Sequence, residues 1–462
     1  MLRSLAQGTP KRKMKGSTQK IIIAVSLLTL LILGISPKII GARIQDATLR
    51  SLLDLIPAET ETQFEIHQLE VNNGWFSSNA EIEILYTPLG TNSIALQLKF
   101  EISHGPLLLT PDGPKLGLAY ASITPDIRSD AFELAIADFP FALPDVTLGL
   151  LTGFDRSVLI GLSIAPLNYN DVDGDVNFSG LNANFNARPD QSAEFGLHMV
   201  ELTASENSIN TNLTITGMEM LGTTKKLTDI LAQSEAQLTI RAISSDAPTA
   251  FSVTELSSAY GLLESGLDSA QRDIFLNLEI AEIASDLPVA SLIWNSKVEE
   301  ISSELFGQYY TLLNDLQSEM QSNPQVLNTK TNQLAQELLL IGLQNNLAFN
   351  NFVKTNAYDG NHELDLRIHW NGLADLDNIA RMDVNAALNA LTVELDASLD
   401  LEAIMRSPAA GLVDPYVQQG YLEIDNGQIL INGTLKKGVL VINQDKISLD
   451  QFFPNNSAAI SN

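Results

Sequence analysis

Three groups of residues could support chemistry. The first is "NNGWFSSNAEIEI" (72–84), where Gly74-Trp75-Phe76 precedes the adjacent serines Ser77 and Ser78. A serine nucleophile on an elbow requires Gly-x-Ser-x-Gly between a strand and a helix. Here Gly-Trp-Phe comes before the serines and an alternating run after them, which points to the start of a strand. Gly74 permits a tight entry. Trp75 and Phe76 are expected to be buried, with the serines hydrogen-bonded locally where pairing begins. The second group is the five histidines, His67, His104, His198, His362 and His369. His362 and His369 are an odd seven apart, so on one strand they face opposite sides and cannot share a metal. His104 stands where a strand meets Gly105-Pro106 and is expected to cap a turn. The third is "DVDGDVN" (171–177), with Asp171, Asp173 and Asp175 spaced like the opening of a calcium loop. An EF-hand needs Gly at its sixth position and an acid at its twelfth. Those positions hold Val176 and Asn182, so a solvated turn is expected, with an irregular calcium site as the rival.

No phosphate-binding glycine loop, Walker pattern or zinc spacing occurs. The absence of cysteine removes disulfides, thiolate metal sites and lipoprotein processing. Neither a catalytic residue nor a cofactor nor a metal is therefore expected, and the protein is read as a non-enzyme.

The elements that must carry these residues come after a membrane-like start. Of the 27 basic residues in 462, nine lie in the first fifty positions, beside a single acid, Asp46. Arg3, Lys11, Arg12, Lys13, Lys15 and Lys20 precede the charge-free run from Ile21 to Pro37. Positive charge before an apolar stretch keeps the N-terminus cytoplasmic and sends the downstream chain across the membrane. The run is short beside the roughly 20 residues of a typical span, which leaves a cleaved signal peptide as the rival. Because "SPKIIGARIQD" offers no good small-x-small site, an uncleaved anchor is the reading: 1–20 cytoplasmic, 21–37 in the inner membrane, the bulk periplasmic. Beyond residue 50 the chain carries 18 basic against 54 acidic residues. A body that acidic repels nucleic acid and anionic lipid headgroups.

Past the anchor the dominant signal has period two. "LTVELDASLDLEA" (391–403), "SIALQLKFEIS" (93–103), "AEIEILY" (80–86), "NLTITGMEM" (212–220), "AQLTIRA" (236–242), "IFLNLEI" (274–280) and "ELDLRIH" (363–369) all alternate apolar with polar. That is antiparallel sheet with one wet face and one dry face. The lengths of the runs predict large curved sheets rather than a compact sandwich. In 292–322, Val298, Ile301, Leu305, Tyr309, Leu312, Leu316 and Met320 step by three or four, predicting a helix that Pro324 ends. A second helix is expected over about 326–347, and shorter ones at 222–233, 255–270 and 403–419. In "GYLEIDNGQILINGTLKKGVLVIN" (420–443), Asp425-Asn426-Gly427 and Asn432-Gly433 are read as turns. The expected fold is thus α+β and strand-dominated, with large curved antiparallel sheets and a central helical pair behind one N-terminal transmembrane helix. Its parts are 1–20, 21–37, a strand-rich 44–290, the helical pair in 291–350 and a strand-rich 351–462.

In this order, the basic N-terminus with its apolar anchor, "GWFSSNAEIEI", "ISHGPLLL" and the closing "GYLEIDNGQILINGTLKKGVLVIN" resemble the YdgA-like bacterial family, a domain of unknown function. The pairing of Gly74-Trp75-Phe76-Ser77-Ser78 with His104-Gly105-Pro106 is the most specific mark. An Arg commonly precedes Gly-Trp-Phe in that family, whereas Asn73 does here. The resemblance implies an envelope protein of Gram-negative type anchored in the inner membrane, and it implies no activity, catalytic residue or cofactor. Two roles are then expected. One is an envelope scaffold whose acidic strand faces bind a periplasmic protein. The alternative is a holder of lipid or another amphiphile in an apolar groove, should the strands outnumber what the helices can cover. Homo-oligomerisation is left open.

Overall fold

The computed structural model describes residues 64–86, 94–110, 113–128, 142, 144–172, 174–207, 211–229, 231–246, 250–265, 271–309, 311–312 and 327–447. The basic tail, the apolar run 21–37 and Asp173 lie outside them. Among the described residues no helix is long and apolar enough to cross a membrane.

Among the described residues, alternation of apolar and polar side chains produces one very large sheet, in which 22 strands are joined by antiparallel ladders. Its first part runs β1 (Phe64–Asn73), β2 (Ser77–Tyr86) and β3 (Ile94–His104). A detached hairpin comes next, β4 (Leu107–Thr110) with β5 (Gly113–Leu116). The sheet resumes with β6 (Ala119–Arg128), β7 (Val146–Thr152) and β8 (Val158–Ile164). Then come β9 (Leu167–Asn170), β10 (Gly174–Phe178) and β11 (Leu181–Ala187). β10 and β11 lie end to end along the long β12 (Ala193–Glu206).

From β12 the chain simply goes back and forth. β13 (Thr211–Thr224), β14 (Ser234–Ser245), β15 (Phe251–Glu264), β16 (Gln271–Ser285) and β17 (Val289–Ser302) pair in sequence order. β18 (Asn346–Ala357), β19 (Gly360–Asn371) and β20 (Leu391–Asp400) continue the series. It closes with β21 (Glu423–Asp425), β22 (Gln428–Lys436), β23 (Val439–Ile442) and β24 (Asp445–Ile447). At the 4.7–4.9 Å spacing of paired strands, the sheet extends roughly 85 Å across its strands. The strand-dominated antiparallel architecture agrees with the sequence.

A line of positions without a cross-strand partner traverses the middle of this sheet: Val200, Gly217, Arg241, Glu255 and Ala281. Gly217 and Glu255 have positive φ there. A left-handed residue turns the pleat over, so the apolar positions change parity at the line. Met218 and Met220 lie on one side of it, Leu213 and Ile215 on the other.

The helical expectations need correction. Residues 292–302 belong to β17, not to a helix; helix begins only at 303. Val298 and Ile301 satisfy a helical stripe, but Val298 is paired with Ile274 and Phe349 across the sheet. The second helix is present, Leu327–Gln344. The pattern at 255–270 is strand up to Glu264, and 222–224 completes β13. The helical segment near 403–419 is two short helices, Leu401–Arg406 and Ala410–Gln418. The alternating run 391–403 stops at Asp400, whose carboxylate accepts the Ala403 amide and starts a helix. Asn426-Gly427 makes its turn with both φ positive, whereas Asn432-Gly433 passes straight through β22 opposite Asp396 and Leu395. Lys437-Gly438 makes that turn instead.

Candidate functional site

Two places gather the residues singled out above: one end of β1–β8, and the apolar face. At that end, the Gly74 amide donates to the Ser77 carbonyl at 2.8 Å and closes the turn between β1 and β2. A Cβ on Gly74 would meet that same carbonyl oxygen at 2.5 Å, so glycine is required. The Phe76 carbonyl accepts the His104 amide, and the Gly105 amide donates to Leu118. Gly105 lies so close to the Gly117 carbonyl that no side chain fits, and its bond to Pro106 is cis. These contacts bring the two halves of the sequence motif, 26 residues apart, onto one spot.

There the structure joins Ser78 to His104. Ser78 Oγ lies 3.0 Å from His104 Nε2, and the other ring nitrogen faces the Trp75 carbonyl at 3.5 Å. With Nδ1–H directed at that carbonyl, Nε2 accepts from the serine hydroxyl. Such a polarity is what a general base needs. However, Ser78 is 2% and His104 3% exposed, so a reactant does not reach the hydroxyl in this conformation. What the pair does is tie β2 to the end of β3 with a buried hydrogen bond, beside the core formed by Ile82, Phe100, Ile102, Ala119, Ala121, Ile123 and Leu150. His104 is therefore more than a turn cap, and the serine bond is not local. Ser77 is exposed. The expected burial of Trp75 and Phe76 is overturned: they are 51% and 60% exposed, packed against each other with ring centroids 6.5 Å apart. A turn this short holds the aromatic side chains at the edge of the sheet, beyond the reach of its core.

His67, like Asp173, has no described side chain, and the remaining polar candidates stay apart. His362 Nε2 bonds to the Ala357 carbonyl and His369 Nε2 to Asn371 Oδ1. Asp171 accepts from the Val172 amide at 2.7 Å and the Tyr169 hydroxyl at 2.8 Å, and these bonds hold its carboxyl below the usual range. Among the described residues no group of three or more His, Cys, Asp or Glu is placed to hold a metal ion.

The feature that sequence reasoning reached only in outline is the register of the apolar face. Paired residues share a face. Along the ladders from β2, one row reads Ala80, Phe100, Ile123, Leu148, Leu162, Ala183, Leu197, Met220 and Leu238. The same row continues through Ser258, Leu278, Trp294, Val353, Leu364, Ala397 and Ile431. Only Ser258 interrupts it. The neighbouring row carries Phe185, Phe195, Ala236, Tyr260, Leu276, Leu366 and Leu395. The opposite face carries, in one row, Glu219, Thr239, Ser257, Glu279, Ile293, Lys354, Glu363 and Ser398.

Cover over the apolar face is uneven. At the N-terminal end it is dry core. At the C-terminal end, the helix Leu401–Arg406 packs on β19 and β20, and Ala397, Ala403, Val413 and Ile429 are buried. In between, Leu197, Met220, Leu238, Leu278, Val353 and Leu364 are only half-buried, and Tyr260, Ile274, Leu276 and Trp294 are exposed. An apolar cavity of about 220 Å³ opens on this stretch, lined by Phe185, Phe195, Ala236 and Tyr260 among others. A capped, dry end on either side of an open apolar middle defines a β-sheet trough.

A family model described as "Bacterial protein of unknown function (DUF945)" matches residues 18–450. The chain belongs to that family. A search of curated proteins and a search of solved structures each found no match.

Proposed function

We propose that this is a non-enzymatic protein of the cell envelope, anchored in the inner membrane through residues 21–37, that holds an amphiphile's chains against the open middle of its apolar face. The observation carrying this is the continuous register: one apolar row crosses the sheet from β2 to β22, and the described helices cover only its C-terminal part. Exposed apolar surface of that extent is costly in water, and monomers keep it where something binds. A long row, with few polar groups such as Ser258, Ser296 and Asn351 on that face, suits extended acyl chains, which need area and little direction. The acidic opposite face fits a second reading, a scaffold that binds a protein partner, and supports it more weakly because solvated acidic strand faces are common.

The test is native mass spectrometry and organic extraction of the full chain purified from membranes in mild detergent. A co-purifying amphiphile near one equivalent or more is expected. An empty protein that carries a stoichiometric protein partner instead would replace this reading with the scaffold.

A further inference from the structure

A second apolar surface stands apart from the trough. The turn 74–76, the hairpin of β4 and β5 and the turn after β7 all lie at one end of the sheet, because Ser77 is paired with Ser103, and His104, Ala119, Thr152 and Val158 are aligned on the adjoining strands. On the hairpin, Leu107 pairs with Leu116 and Leu109 with Pro114, so these four share one side. That side faces water, Leu109 at 77% exposure, while Leu108 is fully buried and fastens the hairpin to the body beside Gly117. Trp75, Phe76 and Phe154 add three exposed rings at the same end.

From this placement we infer that the end of the sheet is a docking tip for a lipid bilayer surface, with the hairpin side chains and Trp75-Phe76 entering the headgroup and upper acyl region. Three observations select that occupant. First, the composition: aromatic rings and leucines at a protruding tip are what the membrane interface accepts. Second, the charge: beyond residue 50 acids outnumber bases three to one, yet "HGPLLLTPDGPKLGL" (104–118) holds one of each, so this arm escapes the repulsion that keeps the body off anionic headgroups. Third, the size: six or seven exposed side chains fall well short of the roughly 20–30 residues a side of a stable protein interface, which argues against a second copy. The tip adjoins the N-terminal end of the apolar rows, so docking would set one end of the trough at the membrane. The inference goes beyond the amphiphile reading and stands or falls separately from it.

Because the chain has no cysteine, a single label reports cleanly. Leu109→Cys and, as a control on the exposed C-terminal β21, Glu423→Cys would carry an environment-sensitive fluorophore on the full chain reconstituted into phosphatidylcholine vesicles. The label at 109 should shift to the blue and be quenched several-fold more than the control by nitroxide lipids. Adding Leu116→Asp and Trp75→Ser, both at exposed positions, should return it to the control level with the melting temperature lowered by no more than about 4 °C. Equal quenching at both positions overturns the inference. So does a blue shift that grows with protein concentration in detergent without lipid, which would mean self-association, and so does quenching abolished by high salt. Amphiphile found in a protein whose Leu109 label stays in water would overturn docking alone.

Discussion

Ser78 and His104 are where the sequence motif becomes a physical object. Each residue type was visible in the sequence, but their pairing was not, because nothing in the spacing of 26 residues says that β2 and β3 are neighbours in this register. Replacing Ser78 by Ala leaves His104 Nε2 buried without that partner, and a buried polar group left unpaired costs about 1–3 kcal/mol. Chemical denaturation should show that loss for Ser78→Ala and a change within about 0.5 kcal/mol for the exposed Ser77→Ala. Trp75→Ala should cost only about 1 kcal/mol or less, since its ring is half in water; the roughly 3–5 kcal/mol expected of a buried aromatic would contradict the exposed tip. Loss of a measurable activity in Ser78→Ala with an unchanged melting temperature would argue instead for a serine nucleophile.

Strands of the central sheet were legible wherever alternation ran unbroken, as in Ala236–Ala242, and illegible where two signals competed. β17 reads as helix because Val298, Ile301 and Leu305 are spaced by three and four, although long-range pairing to β16 and β18 decides its state. Bulges were equally invisible. At Asp273 the register of β16 shifts against β17, and the side chain turns inward. Burial pushes the Asp273 carboxyl up, but Lys297 Nζ at 2.8 Å, Ser265 and the Glu300 amide outweigh it and hold the carboxyl below the usual range. The Glu300 backbone is itself left-handed, with φ of 63°. Lys297→Met would strand a buried carboxylate, at a cost of about 1–3 kcal/mol once the partial exposure of the lysine is allowed for. A depressed carboxylate pKa stabilises above the unfolded value and loses that contribution as pH falls through the folded one. Denaturation measured from pH 6 downward should therefore show the wild type losing this increment below about pH 4, with Lys297→Met losing less over the same interval.

Across the sheet as a whole, the sequence foretold a dry face and a wet face for each strand but not that the dry faces would stack into rows crossing the sheet. That requires each ladder to be in register with the next, and the parity change at Gly217 and Glu255 hides the continuity from any strand read alone. Nor did it foretell that the open region would lie in the middle, since the helices gather toward the C-terminal strands. Whether this middle region carries amphiphile chains is best asked by cross-linking the full chain in vesicles with a phospholipid bearing a photoreactive group on its acyl chain, then mapping the peptides. Adducts should concentrate on apolar-row residues such as Leu238, Leu278, Trp294 and Leu364. Adducts spread equally over Thr239, Glu279, Lys354 and Glu363 on the opposite face, or confined to the tip with the rows untouched, would contradict it.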